Sequence, residues 1–347
     1  MITTTAPAVV ASPRPRYSVR QRNPVLATLL RRGIYGVATL FVVSILIFAA
    51  TNILPGDVAE VVLGRGATPE TVAALQQRLG LDQSLVARYL DWVGGVLRGD
   101  LGESAVGAAQ NAPDARVSAM IGAPLVNSAI LAGVSALLLV PLSLLLGVFA
   151  AVREGRPADQ LTSYVTLILG CLPEFVVGAM LILVFSTNLG WFPPVALIAP
   201  GSSPLSDPAT LVLPVVTLIG AALAFAARQV RAGMVTTLKQ DYVVIARLNG
   251  LPESKVLRRY ALRNAVATTV QTYAQAIQYL FAGVIVVEAL YAYPGIGTQL
   301  VQAVTSRDTT AVAGIAVVLA AGYIVVNIVA DVLVTLLVPK LRTGLAQ

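Results

Sequence analysis

The sequence predicts an all-α membrane protein with about six transmembrane helices, and three observations carry that expectation. The chain is 56% hydrophobic and only 12% charged, where a soluble domain carries about 25% charged residues; its mean hydropathy is +0.79. Apolar runs of roughly 20 residues or more, long enough to cross the hydrocarbon core as helices, recur along it. Its basic residues collect in alternate connections between those runs, a topological pattern rather than a basic stripe for nucleic acid.

The expected spans are residues 34–54, 124–152, 161–187, 211–230, 268–290 and 312–338. Pro141, Pro173 and Gly283 fall inside them; membrane helices tolerate such residues because neighbours satisfy the freed backbone groups. Residues 1–30, rich in Ala, Thr, Pro and Arg, read as a flexible cytoplasmic tail. The first span reads as an uncleaved signal anchor, since its run is too long for a signal-peptide core and no small-residue cleavage site follows.

Most of the 24 basic residues stand on one side of this scheme. Arg14, Arg16, Arg20, Arg22, Arg31 and Arg32 precede the first span, and Arg153 and Arg156 join the second to the third. Arg228, Arg231, Lys239, Arg247, Lys255, Arg258, Arg259 and Arg263 lie between the fourth and fifth, and Lys340 and Arg342 follow the sixth. The positive-inside rule then puts both termini in the cytoplasm, which an even number of crossings requires.

The first outer loop, about 55–117, is long enough to hold structure. Thr68-Pro69-Glu70 reads as a helix start and Gly80 as its stop. A second, amphipathic helix runs from Asp82 towards Leu97, with Leu85, Tyr89, Trp92 and Val96 on one face; it lies against the membrane surface or the bundle rather than docking a partner.

The composition also excludes chemistry. Cys171 is the single cysteine and there is no histidine. That removes an internal disulfide, Ser-His-Asp and Cys-His nucleophile systems, HExxH zinc sites and histidine proton relays. Cys171 itself reads as a small packing residue. No catalytic or metal site is expected.

The most informative connection is 239–265. It reads as a short helix, a glycine stop at Gly250, and a second helix that begins at Pro252. Val244, Leu248 and Leu251 offer small apolar knobs amid charge, a shape suited to a groove on another protein.

This stretch resembles the EAA loop of ABC importer permeases, in the form of the dipeptide/oligopeptide/nickel branch. Asp241, Tyr242, Val243, Ala246, Arg247, Gly250, Leu251, Leu262, Arg263, Asn264 and Ala265 match the branch's pattern. Leu248, Asn249 and Tyr260 depart from it, Tyr260 standing where a histidine is usual. Residues 53–57, 92–104 and 287–297, then Arg307-Asp308 and 327–331, match in the same order; only 338–342 departs. The resemblance covers Arg31 to Arg342.

What the resemblance implies is specific. Residues 31–347 form a permease domain of the type I ABC importer fold, in a bacterial inner membrane, with a long extracytoplasmic first loop and a cytoplasmic coupling helix. Two membrane subunits, usually different ones, form the pathway. Two cytoplasmic ABC ATPases, or one fused ATPase, dock on their loops, here through Asp241, Tyr242, Val244, Ala246, Arg247, Leu248, Gly250 and Leu251. An extracytoplasmic binding protein delivers the solute, a peptide or related small molecule. ATP and Mg2+ are used by the ATPases; this chain has no GxxxxGK[ST] phosphate loop, so it binds neither directly.

Polar groups inside spans are pathway candidates. Glu174 stands near the middle of the third span; it either attracts a solute ammonium or sits protonated in a helix contact. Thr268, Gln271, Thr272, Gln275, Gln278 and Tyr279 form a polar stripe on the fifth span, which faces protein or water; pathway lining by Gln271, Gln275, Gln278 and Tyr279 is preferred over interhelical hydrogen bonding. Tyr323, Asn327, Asp331 and Thr335 form another on the sixth, where an ion pair at Asp331 is preferred over solute contact. Glu288, Tyr293, Pro294 and Gly295 form either an outer gate or a plain turn. The alternative function, a secondary transporter or channel of similar topology, lacks an obvious inverted repeat. An intramembrane protease lacks its nucleophile systems.

Overall fold

The structure, a computed structural model, describes residues 24–53, 68–78, 83–110, 112–199 and 201–337. The tail before residue 24, Gly80, Asp82, most of the 53–57 motif, and Lys340 and Arg342 lie outside them. Among the described residues the fold is all-α, with one isolated bridge between Glu103 and Arg116.

Helix α1 (Pro24–Ile53) is followed by α2 (Pro69–Arg78), α3 (Leu85–Leu97) and α4 (Ala105–Ala109) of the first loop. Thr68 and Thr71 cap α2 reciprocally through side chain and backbone, which is why Pro69 opens it. Ser84 caps α3, its Oγ accepting from Ala87 N at 3.3 Å. Tyr89, Trp92 and Val96 turn inward as the periodicity predicts, but Leu85 is exposed. Tyr89 packs edge-on and Trp92 at a tilt against Phe48 of α1.

The bundle proper consists of α5 (Val117–Val152), α6 (Pro157–Cys171), α7 (Glu174–Leu181, continued by a π turn, Ile182–Asn188) and α8 (Pro208–Leu238). After α9 (Asp241–Leu248) come α10 (Arg263–Leu290), α11 (Ile296–Thr305) and α12 (Thr309–Leu337). The most extensive contacts run between α5 and α8, then between α8 and α10. Close approach of α5 and α8 needs small residues: a methyl at Gly147 would sit 2.6 Å from Val230. Leu131, Leu139, Leu218, Leu280 and Tyr291 fill one half of the core, and Ala151, Val230, Met234 and Ala261 the other. Outside this core, α1 packs along α12, with Gly36 against Ile324 and Ile328; Arg32 Nε lies 2.9 Å from Asp331 Oδ2.

Two expectations are corrected. The second span starts before Pro124, at Val117, because Val117 and Ile121 pack into a cluster with Leu101, Ile296 and Ile315. The third is not one straight helix: α6 and α7 meet at a 109° bend. Pro173 has no N–H and forces Leu172 into extended backbone (φ −82°, ψ 134°). Cys171, read as a packing residue, is exposed beside this break.

The bent pair together is long and apolar enough for one span or a re-entrant loop. Asp159 at the start of α6 pairs with Arg231 near the end of α8, whereas Gly178 of α7 packs against Thr217 near its start. The contacts of the pair thus progress along α8 in antiparallel order. Five single helices and this pair give up to six candidate crossings, and the Arg32–Asp331 contact brings the beginning of α1 and the end of α12 together.

One buried carboxylate ties the first loop to the last span. Asp308 Oδ1 accepts from Ala105 N (3.1 Å) and Ala311 N (3.0 Å), and Oδ2 from Ser104 Oγ (2.5 Å) and Val106 N (3.3 Å). It thus caps α4 and α12 together. Asp308→Ala is expected to lower stability by about 2–4 kcal/mol, since buried donors at two helix starts lose their acceptor. Thermal unfolding of the purified protein checks this, with Asp308→Asn expected to lose less.

Candidate functional site

The connection between α8 and α10 is a built object, not a loose loop. Leu238, the last residue of α8, packs with Val243, Ala246 and Val256, so the loop carries a core of its own. Helix α9 ends at Leu248 and Asn249 caps it; Gly250 follows with a φ of +73°, the left-handed conformation a helix stop needs. Gly250 N donates to Arg247 O and Leu251 N to Ala246 O, closing the last turn. Pro252 occupies the cap of the next helical stretch, three α residues (Glu253–Lys255) and a π segment (Val256–Leu262) that run without a break into α10.

Side-chain pairs stiffen this turn. Arg247 Nη2 and Nε donate to the two oxygens of Glu253 at 2.6 and 3.1 Å, a bidentate clamp across Gly250. The guanidinium holds the Glu253 carboxyl below the usual carboxylate range, and Glu253 raises the pKa of Arg247. A depressed carboxyl contributes above its unfolded pKa and loses that contribution as pH falls through the folded one, so at neutral pH the clamp is formed. Asn264 Nδ2 donates to Tyr242 Oη (3.0 Å), and Lys239 Nζ to Glu154 Oε1 (2.8 Å).

The sequence-predicted coupling residues divide into two sets. Asp241, Tyr242, Val244, Arg247 and Leu248 are exposed, Leu248 at 81%. Ala246 and Leu251, also expected to meet a partner, instead turn inward onto the loop's own core. Gly250 shapes the turn. Ile245 was missed: at 55% exposure it completes an apolar patch with Tyr242, Val244 and Leu248.

The polar stripe of the fifth span emerges on α10. Gln271, Gln275 and Tyr279 are exposed on it, with Gln278 half-buried beside them; the side chain of Thr268 lies outside the described residues. Gln275 and Tyr279 line a cavity of about 320 Å³ with Phe225 and Arg228 of α8 and Gly170 of α6. Arg228 carried no signal beyond topology in the sequence. Glu174, expected within a straight helix, is the first residue of α7 after the break. Its carboxylate faces α10: a methyl at Gly283 would come within 2.6 Å of both oxygens. Its Oε1 is buried without a partner.

Glu288, Tyr293, Pro294 and Gly295 form an interior knot, with Glu288 and Tyr293 at 0% exposure. Glu288 accepts from Ser128 Oγ (2.5 Å) and from Gly297 N at the start of α11 (2.7 Å). Tyr293 Oη donates to Asn127 O (2.7 Å), and Asn127 Nδ2 donates to Pro294 O (2.8 Å). Tyr291 Oη bridges Thr217 Oγ1 and Gly178 O. These residues weld α5, α7, α8, α10 and α11 together, and none of them lines the cavity at Gln275 and Tyr279. On α12, Asn327 and Thr335 bond carbonyls one turn back, and Asp331 is taken by Arg32.

Among the described residues no cluster of His, Cys, Asp and Glu is arranged to hold a metal. Residues 143–343 match the family described as binding-protein-dependent transport system inner membrane component, and residues 25–118 match its N-terminal region. A putative peptide transport system permease protein from Brucella abortus is 32% identical over 316 residues, covering 91% of this chain and 99% of the relative. A glutathione transport system permease protein from Escherichia coli strain K12 is 31% identical over 318 residues, covering 92% and 99%.

Proposed function

Because the chain belongs to the family of binding-protein-dependent transport system inner membrane components, and is the permease component of an ABC importer, we propose that it admits short peptides or peptide-like solutes under the drive of ATPases seated on α9. The observation that carries this reading is the stiffened α9 turn, exposed at Tyr242, Val244, Ile245 and Leu248 and continuous with the helix bearing the polar stripe. Apolar side chains held outward on a rigid frame suit a groove on a partner. From Glu253 to Leu290 the helical run is on the order of 50 Å long. A push on α9 passes through the Gly250–Pro252 turn, clamped by Arg247 and Glu253, and is delivered along this run to Gln271, Gln275 and Tyr279.

In this reading both termini and α9 face the cytoplasm, and the first loop faces the binding protein. A second permease subunit, usually a different one in this branch, covers the exposed stripe of α10, so that the pathway runs between the two. Glu174, with its unpartnered oxygen, attracts a solute's ammonium. ATP and Mg2+ act in the ATPase subunits, and this chain catalyses nothing. The names of the relatives support a peptide or a glutathione-like solute.

Copurification and reconstitution test the proposal. The chain is expected to purify with an ATPase and a second permease, and proteoliposomes holding the complex and its binding protein are expected to take up dipeptide only with ATP. Uptake that persists without the ATPase overturns it. Within this scheme Glu174→Gln is expected to slow uptake of a dipeptide with a free ammonium by about tenfold, the effect of one charge-assisted contact. An N-acetylated dipeptide should be unaffected. Equal uptake of both solutes by wild type and variant removes Glu174 from the pathway.

A further inference from the structure

A second cavity, of about 410 Å³, lies far from α9, where the first loop meets the membrane-spanning helices. Phe48 and Thr51 of α1, Arg88, Asp91 and Trp92 of α3, and Thr309 of α12 are among its walls. Arg78 and Glu103 also reach it, but they form an ion pair with each other. That leaves Arg88 and Asp91, one turn apart on α3. Among the described residues neither makes an ion pair. Arg88 is half-buried, and burial holds its pKa below the ordinary guanidinium value. Among the described residues the buried indole N–H of Trp92 has no acceptor.

A cavity wall with donors that have no partner among the described residues and, one turn away, an exposed carboxylate likewise without one is complementary to an oxyanion joined to a cation. Neighbouring positions of this kind stand about 5–6 Å apart on a helix. The surroundings indicate the source. Val86, Leu90 and Leu97 of α3 are exposed apolar side chains, and α1 presents Phe41, Ile45 and Leu46 along its length. Tyr89 Oη hydrogen-bonds Ser44 of α1 at 2.9 Å, and its ring clusters with Phe48 and Trp92. Tyr and Trp gather where hydrocarbon gives way to headgroups, and an apolar-faced helix lies in that plane.

We propose that this cavity binds the headgroup of a phosphatidylethanolamine from the leaflet on the first-loop side, its phosphate on Arg88 and the Trp92 N–H and its ammonium on Asp91. The two charges of that headgroup are separated by two methylenes, and its acyl chains lie along α1. A purely anionic headgroup leaves Asp91 facing negative charge.

Native mass spectrometry of the whole complex, delipidated and titrated with dioleoyl phosphatidylethanolamine or dioleoyl phosphatidylglycerol, tests the assignment. Phosphatidylethanolamine is expected to bind at least about tenfold better, with Arg88→Ala losing about tenfold and Arg88→Lys retaining most of the binding. Asp91→Asn is expected to erase the preference between the two lipids, a readout that does not depend on Arg88→Ala folding. Equal binding of both lipids by the wild type overturns the proposal, as does unchanged binding in Arg88→Ala. Displacement of the lipid by a dipeptide would make the cavity a solute site instead.

Discussion

Leu248→Asp is expected to leave the permease folded in the membrane while abolishing ATP-driven uptake. Leu248 is 81% exposed and takes no part in the core of Val243, Ala246 and Val256, so a charge there meets water in the isolated chain. With α9 seated in an ATPase groove as proposed, the same carboxylate would be buried there without a partner. Truncating or charging a central interface side chain costs about 2–4 kcal/mol, roughly 30- to 700-fold in affinity. Copurification should therefore lose the ATPase but keep the second permease, and Leu248→Met should behave as wild type. Gly250→Pro should do more damage, because proline cannot adopt φ +73° or donate the N–H that Arg247 O receives. If Leu248→Asp retains both the ATPase and uptake, α9 is not the docking element.

Gly295→Ala is expected to prevent accumulation of the protein altogether. A methyl at Gly295 occupies the space of the Glu288 carboxyl group. The carboxylate cannot retreat without giving up Ser128 Oγ and Gly297 N, in a position that is fully buried. Overpacking of about 1–3 kcal/mol, with loss of hydrogen bonds to a charged or strongly polar group at about 1.5–3 kcal/mol, approaches the whole stability of a domain. Expression level and thermal unfolding in detergent measure it. The clash makes a sharper claim: in the double variant Glu288→Ala, Gly295→Ala the two losses should be markedly less than additive. Additive losses would show that the two residues do not compete for the same space.

Much of this was readable in the residues alone, and the failures have identifiable causes. The long apolar runs announced α5, α8, α10 and α12, and Gly250 before Pro252 announced the turn after α9. The break at Leu172–Pro173 was also written there, but as one proline among several. Pro124 and Pro141 sit inside α5 without breaking it, so the residue type by itself does not decide. Helix α9 is apolar on two faces over eight residues, too few for periodicity to assign Ala246 to the inside and Ile245 to the outside. Asp308 looked like part of a motif; its partners at Ser104 and Ala105 are some two hundred positions away, and no local pattern reaches them. Glu288 left both a gate and a plain turn open, and its burial was not legible because it is a property of five helices at once.

The seam between α1 and α12 has a consequence for biosynthesis. Gly36 meets Ile324 and Ile328, so the first crossing of the bundle finds its main partner only when the last crossing has been made. At a ribosomal pace of about 5–20 residues per second, the delay is roughly 15–60 s. Throughout it, α1 has lipid for company. Its exposed positions, Ile34, Val37, Phe41, Val42 and Leu46 among them, are apolar enough to wait there. Arg32, meanwhile, lacks the carboxylate that will later neutralise it, so the Arg32–Asp331 contact marks the moment at which the newly made chain closes on itself.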